Sequence, residues 1–195
     1  MCELQRLTGV LLMVAVVGCA GRTPASRVNP DAALLADFRS RIDQYMELRE
    51  DAVDVVPEAE VVKDAGKLRA REQALAARIR ALRANAKHGD VLTPTIRAHF
   101  RELLAPELTG KQGRDARALL QEDAPAPGAV PLEVNAKYPA GLPIPTTPPD
   151  VIAALPRLPA GLEYRLIGND LLLLDQPADI IVDYMRNAFP KPAPK

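Results

Sequence analysis

Between positions 29 and 123 apolar residues recur at steps of three and four, the period of helices that bury one face. Leu35, Phe38, Ile42, Tyr45 and Arg49 form one such stripe, with Leu34, Met46 and Leu48 beside it. Asn29-Pro30-Asp31 supplies its start: a capping side chain, a proline at the first helical position, and an acid near the positive end of the dipole. The pattern runs to about Val55, and Pro57 interrupts it. A second helix is expected over Asp64–Lys87, with Leu68, Leu75, Ile79, Leu82 and Ala86 on one face and His88-Gly89 as its stop. Thr93-Pro94 opens a third, carrying Ile96, Phe100, Leu103 and Leu104 and ending before Pro106. Gly113 to Asp123 fits a short fourth, with Gly110-Lys111-Gln112-Gly113 read as an inter-helix loop rather than a phosphate loop.

After Ala124 the helical period is lost. Ten of the 19 prolines lie between Pro125 and Pro159, and proline denies the backbone a donor and disfavours helix in the residue before it. This stretch is either a disordered linker or, as Val130, Leu132, Val134, Tyr138, Leu142 and Ile144 suggest, an ordered strap lying on the helical part. Thr147-Pro148-Pro149-Asp150 starts one short helix over Val151–Leu155. The runs Leu162–Ile167 and Leu171–Asp175 then flank a Gly168-Asn169 turn, the pattern of a short-loop hairpin. Ile180–Met185 reads as a third strand, with a final short helix as the alternative. Such a meander is marginal alone and must bury one face against a helix or the strap. The expected class is α+β: an N-terminal antiparallel helical hairpin with one or two short helices, a Pro-rich strap, and a small C-terminal antiparallel β-meander.

The start of the chain follows other rules. Leu7–Val17 is an apolar run of 11 residues, about half of the ~20 a membrane-crossing helix needs, and it ends in Gly18-Cys19. Val16-Val17-Gly18-Cys19 resembles the lipobox of bacterial lipoprotein precursors. The resemblance implies cleavage between Gly18 and Cys19 and lipidation of the Cys19 sulfur. A signal peptide with an incidental cysteine, or a short membrane anchor, is the alternative reading. Two or more acyl chains hold a protein stably on a bilayer, so a lipidated Cys19 would tether the chain without a spanning helix. Ala20 after the cysteine implies, again by resemblance, the periplasmic face of the outer membrane. The expected organisation is a signal peptide over 1–18, lipidated Cys19 and a flexible tether over 19–30, and a helical region over 31–123. The strap over 124–149, a small helix-plus-hairpin region over 150–189 and a disordered tail over 190–195 complete it. Cys2 would leave with the signal and Cys19 would carry lipid, leaving no thiol for a disulfide, a zinc site or a nucleophile.

Charge changes the picture little overall. With 25 Lys+Arg against 25 Asp+Glu the net charge is zero, which argues against a nucleic-acid-gripping role. The first two helices differ, however: nine acids against three arginines over Asp31–Glu60, then eight cations against two acids over Lys63–His88. A basic face for an anionic surface is one reading of the second helix. Antiparallel packing of acid beside base is the favoured one.

Candidate chemistry is sparse. Neither His88, at a helix end, nor His99, beside Phe100, has metal-ligand spacing, and neither Ser26 nor Ser40 has a nucleophile-elbow setting. Tyr164, Arg165, Gly168, Asn169, Asp170, Asp175, Ile181 and Val182 resemble the C-terminal meander of periplasmic nickel/cobalt homeostasis proteins. That resemblance covers about an eighth of the chain, implies a hairpin, and transfers no functional residue. The expectation is a lipid-anchored cell-envelope protein that binds or scaffolds another envelope protein or a cell-wall component, with no catalytic residue, no metal and no cofactor. Two alternatives stand beside it: an envelope hydrolase using Asp/Glu residues, and a periplasmic metal-stress accessory protein.

Overall fold

In a computed structural model of the chain, the Asn29 side chain accepts a hydrogen bond from the Asp31 amide at 3.1 Å and opens α1 (Pro30–Val55). The structure describes residues 29–56, 65–122, 124–126, 128–139, 141, 142, 145 and 147–189. Gly18, Cys19, the leader and tether before residue 29, Pro57, Ile144 and the tail over 190–195 lie outside the described residues.

Helix α2 (Ala65–Leu82) buries Leu75, Ala76 and Ile79, followed by Arg83 just past its end. This phase differs from the expected stripe, for Leu68 and Leu82 are 47% and 37% exposed. Arg83 takes the inward place because its guanidinium finds buried acceptors there, and its own carbonyl accepts from Asn135 Nδ2 at 2.9 Å. The chain therefore turns at Arg83, and the helix stops short of Lys87. Arg41 Nη1 donates to the Asp90 carbonyl at 2.8 Å, while the Arg83 guanidinium lies 5.0 Å over the Tyr45 ring. Residues later in α1 thus meet earlier ones of the second segment, so the pair runs antiparallel. The expected row of acid-beside-base contacts is not what joins them. Among the described residues no ion pair links α1 to α2, and their seam is apolar apart from these arginine contacts.

Thr93 Oγ1 caps α3 (Pro94–Leu104) by accepting from the Ile96 amide at 3.3 Å, and α3 buries Ile96, Phe100 and Leu104. A 3-10 turn at Pro106–Leu108 leads into α4 (Gly110–Glu122). The Gly110–Gly113 segment is accordingly the first turn of α4 and not a loop. Gly113 packs so closely on the Leu108 backbone that a Cβ would overlap it. A short helix α5 (Pro149–Ala153) begins two residues before the expected start, because Pro149 suits a first helical position.

Strands β1 (Leu162–Ile167), β2 (Asp170–Asp175) and β3 (Ile180–Met185) form an antiparallel sheet in the order β1-β2-β3. The third apolar run is thus a strand. Both faces of the sheet are covered. On one side Leu166, Leu171, Leu173, Val182 and Met185 join the helical core, where Phe100 meets Phe38 and Tyr164 edge-on at 5.2 and 6.0 Å. On the other, Leu172, Leu174 and Ile181 are covered by Val130 and Tyr138 of the strap. Two-sided burial explains four consecutive leucines in β2, a run that one-sided strands replace by alternation. The apolar side chains of the strap thus cover the sheet face opposite the helices, while Asn135 reaches the helical part through Arg80 and Arg83. Its backbone also borders β3: Asn135 N donates to Ile181 O at 2.8 Å, Ile181 N to Ala136 O at 2.9 Å, and Tyr138 N to Asp179 O at 3.0 Å. No helix among the described residues is long and apolar enough to cross a membrane.

Candidate functional site

The buried polar groups lie where the helices meet the sheet. Asp175 ends β2 and Asp183 lies in β3, both fully buried on the helical side. A bulge between Leu173 and Leu174 adds a residue to β3 and turns Val182 and Asp183 to the same side.

Asp183 is held by the segment after α2. Its Oδ2 accepts from the amides of Gly89, Val91 and Leu92 at 3.1, 3.0 and 2.8 Å, and its Oδ1 accepts from Tyr184 N at 2.8 Å. His88 Nδ1 lies 3.1 Å from Oδ1, and Arg97 Nη1 lies 2.8 Å from His88 Nε2. Arginine can only donate, so Nε2 accepts and the ring proton sits on Nδ1, donated to Asp183. The imidazole stacks on Tyr184 with centroids 4.1 Å apart.

Asp175 faces α1 instead. Tyr45 Oη donates to its Oδ2 at 2.7 Å, Arg49 Nε donates to the same oxygen at 2.8 Å, and Ala178 N reaches Oδ1 at 3.1 Å. Burial, then the neighbouring Asp175 charge and hydrogen bond, push the Tyr45 phenol well above its ordinary range. Arg83 joins the two carboxylate regions. Its Nη2 donates to Val182 O at 3.0 Å and its Nη1 to Asn135 Oδ1 at 2.8 Å. Burial lowers its pKa, opposed by Tyr45, Asp183, Asp90 and Asp175. Tyr164 Oη, by contrast, is buried with no hydrogen-bond partner among the described residues, and burial raises its pKa.

This arrangement holds the helices, the sheet and the strap together. Asp183–His88–Arg97 has the form of an oriented imidazole, but both ring nitrogens are engaged, one by Asp183 and one by Arg97. Both carboxylates are enclosed by internal donors, unlike a pair flanking a scissile bond. Among the described residues no group of three or more His, Cys, Asp or Glu could hold a metal ion. The two histidines are not brought together: His99 sits on α3, 3.6 Å from Glu102. Ser40 is exposed on α1 and contacts Gln44.

Among the described residues the surface includes two grooves. One, of about 750 Å³, lies between the start of the strap and the β1–β2 turn, lined by Pro125, Val130, Leu132 and Ile167 together with Asp170 and Arg186. The other, of about 350 Å³, lies between the 3-10 turn, α4 and α5, lined by Glu107, Asp115 and Asp150 with Ala116 and Val151.

The sequence reading missed Asp183, Arg83 and Asn135. One signal existed for the first: a lone acid inside the apolar run Ile-Ile-Val-Asp-Tyr-Met, which a two-sided strand tolerates only with buried donors opposite. No protein-family model matches this chain, and neither a curated protein nor a solved structure shows significant similarity to it.

Proposed function

We propose that this chain is a lipid-anchored protein of the bacterial cell envelope that acts by binding or scaffolding another envelope component, without catalysis. The single observation that carries the reading is Val16-Val17-Gly18-Cys19 at the end of an 11-residue apolar run. Ten residues separate Cys19 from Pro30, the first residue of α1. At ~3.3–3.6 Å each they reach at most about 35 Å, enough to lift the folded part clear of a bilayer surface. The role as a binder draws support from the polar cluster, whose donors and acceptors are spent on one another and hold the helices, sheet and strap as one body. The wider groove, lined by apolar side chains together with Asp170 and Arg186, has the make-up of a surface that receives an extended partner segment.

The test is processing in a bacterial host. Cys19→Ala, or inhibition of the lipoprotein signal peptidase, should make the unprocessed precursor accumulate. Mass spectrometry of the wild-type product should show loss of residues 1–18 and an acylated Cys19. An intact N-terminus with a free thiol would overturn the anchoring and the role built on it.

A further inference from the structure

We infer that the outer faces of α1 and α2 form a self-complementary surface that pairs with a second copy of this chain. On α1, Asp43, Glu47, Glu50 and Asp54 are all exposed and follow one another at steps of four, three and four, which aligns them as a ridge opposite the buried Phe38–Ile42–Tyr45 side. None of the four makes an ion pair among the described residues. On α2, Ala70, Ala74, Ala77 and Ala81 repeat the same steps and are equally exposed, opposite Leu75, Ala76 and Ile79. Lys67 and Arg78 flank this alanine track on one side and Arg69 on the other, all exposed.

The two stripes match in shape as well as in sign. Each covers about 16 Å of helix at ~1.5 Å per residue. Alanines leave a shallow channel that lets another helix approach closely, and the cations on its banks stand where carboxylates of a ridge would arrive. The two helices are neighbours in one hairpin, so a two-fold axis lays each ridge of one copy into the channel of the other, satisfying both contacts at once. Val55 at the end of α1 and Leu68 in the first turn of α2, 65% and 47% exposed, add apolar surface for such a contact to cover.

An anionic bilayer would meet the alanine track with its cations, but it would also meet the acidic ridge alongside, and like charges would resist the approach. A second copy presents acid to base at both places. A net charge of zero adds no long-range repulsion between copies. Exposed pairs are individually weak and screened by salt, so the association is salt-sensitive.

The experiment uses two differently tagged full-length chains co-expressed in one host, extracted in non-ionic detergent and captured through one tag. The wild type should co-capture its partner, with recovery falling about tenfold between low and molar salt. The triple variant Asp43→Lys, Glu47→Lys, Glu50→Lys makes both faces basic and should not capture itself. The triple variant Lys67→Glu, Arg69→Glu, Arg78→Glu makes both acidic and should not capture itself either. Co-expressed with each other, the two variants should restore capture to the wild-type level, which also shows that both are folded. A wild type that fails to capture itself overturns the inference, as does undiminished self-capture by either variant. Absence of rescue between two variants whose helical circular dichroism equals that of the wild type does the same. Wild-type binding to phosphatidylglycerol vesicles that the acidic variant loses, without any self-capture, assigns the face to the bilayer and overturns it too. The same result is expected with Cys19→Ala, so this pairing and the lipid anchor stand or fall separately.

Discussion

At the scale of single residues, Asp183 is the group on which most donors converge. Its oxygens serve the amides of Gly89, Val91, Leu92 and Tyr184 and the His88 ring. Asp183→Asn keeps the shape but turns an amide NH2 toward groups that can only donate, leaving at least two unpaired in a buried place. A loss of about 3 kcal/mol is expected in urea unfolding, and a loss under ~1 kcal/mol would mean that water or rearrangement serves these donors. The tyrosines make a second test. Tyr45→Phe removes the bond to Asp175 and should cost about 1–3 kcal/mol, whereas Tyr164→Phe removes a partnerless hydroxyl and should be neutral or stabilising. Alkaline pH separates them further. In the unfolded chain both phenols ionise near 10.0, while burial raises both in the folded protein. Above that pH the folded state therefore binds more protons than the unfolded one, and stability falls as pH rises. Phenolate absorbance for these two rings should appear only together with unfolding. The fall in stability should be smaller in Tyr164→Phe; ionisation of both rings in the folded protein near pH 10 would contradict the burial.

At the scale of elements, Asn135 joins the strap to α2. It sits at φ 66°, donates to the Arg83 carbonyl and accepts from Arg83 Nη1, so both its backbone and its amide are used. Asn135→Gly retains the left-handed conformation but loses both side-chain bonds, costing about 1–3 kcal/mol. Asn135→Ala loses the bonds and adds ~1 kcal/mol of backbone strain. Glycine should thus be the milder substitution, with faster amide exchange confined first to Ile181 and Tyr138, whose N–H groups bond the strap or its border. Alanine as the milder change would show that the conformation is not what Asn135 provides. The same element shows what was legible in the sequence. Helix starts at Asn29-Pro30 and Thr93-Pro94, and the Gly168-Asn169 hairpin, were readable because their chemistry lies within a few residues. The end of α2, the inward turn of Arg83 and the face on which the strap lies were not. Each is set by groups on other elements, such as Asn135 and Val182, fifty to a hundred positions away. For the same reason the polar cluster was invisible: the Asp183 donors come from a loop about ninety residues earlier. Val16-Val17-Gly18-Cys19, which carries the proposed anchoring, is likewise wholly local.

At the scale of the whole molecule, the sheet is a wall shared by two cores. Adjacent residues of β2 make this testable. Leu173 belongs to the helical core and Leu172 to the strap-side core, and both are fully buried. Either changed to Ala should cost about 2–5 kcal/mol, the range for a buried leucine whose cavity cannot fully collapse. If the strap were an appendage with its own stability, Leu172→Ala would release it alone. The environment of Tyr138 would then change at low denaturant while helical circular dichroism stayed unaltered. The geometry points the other way. Arg83 bonds the strap at Asn135 and the sheet at Val182, and stacks on Tyr45, which in turn bonds Asp175. Losing the strap would strip an acceptor from a buried guanidinium in the middle of the helical side, so the penalty spreads to both layers. Both variants should therefore shift the midpoint of one common transition, with tyrosine fluorescence and helical signal coinciding and the denaturant slope unchanged. Two separated transitions in Leu172→Ala, or a reduced slope in that variant alone, would show that the strap and the helical body fold independently.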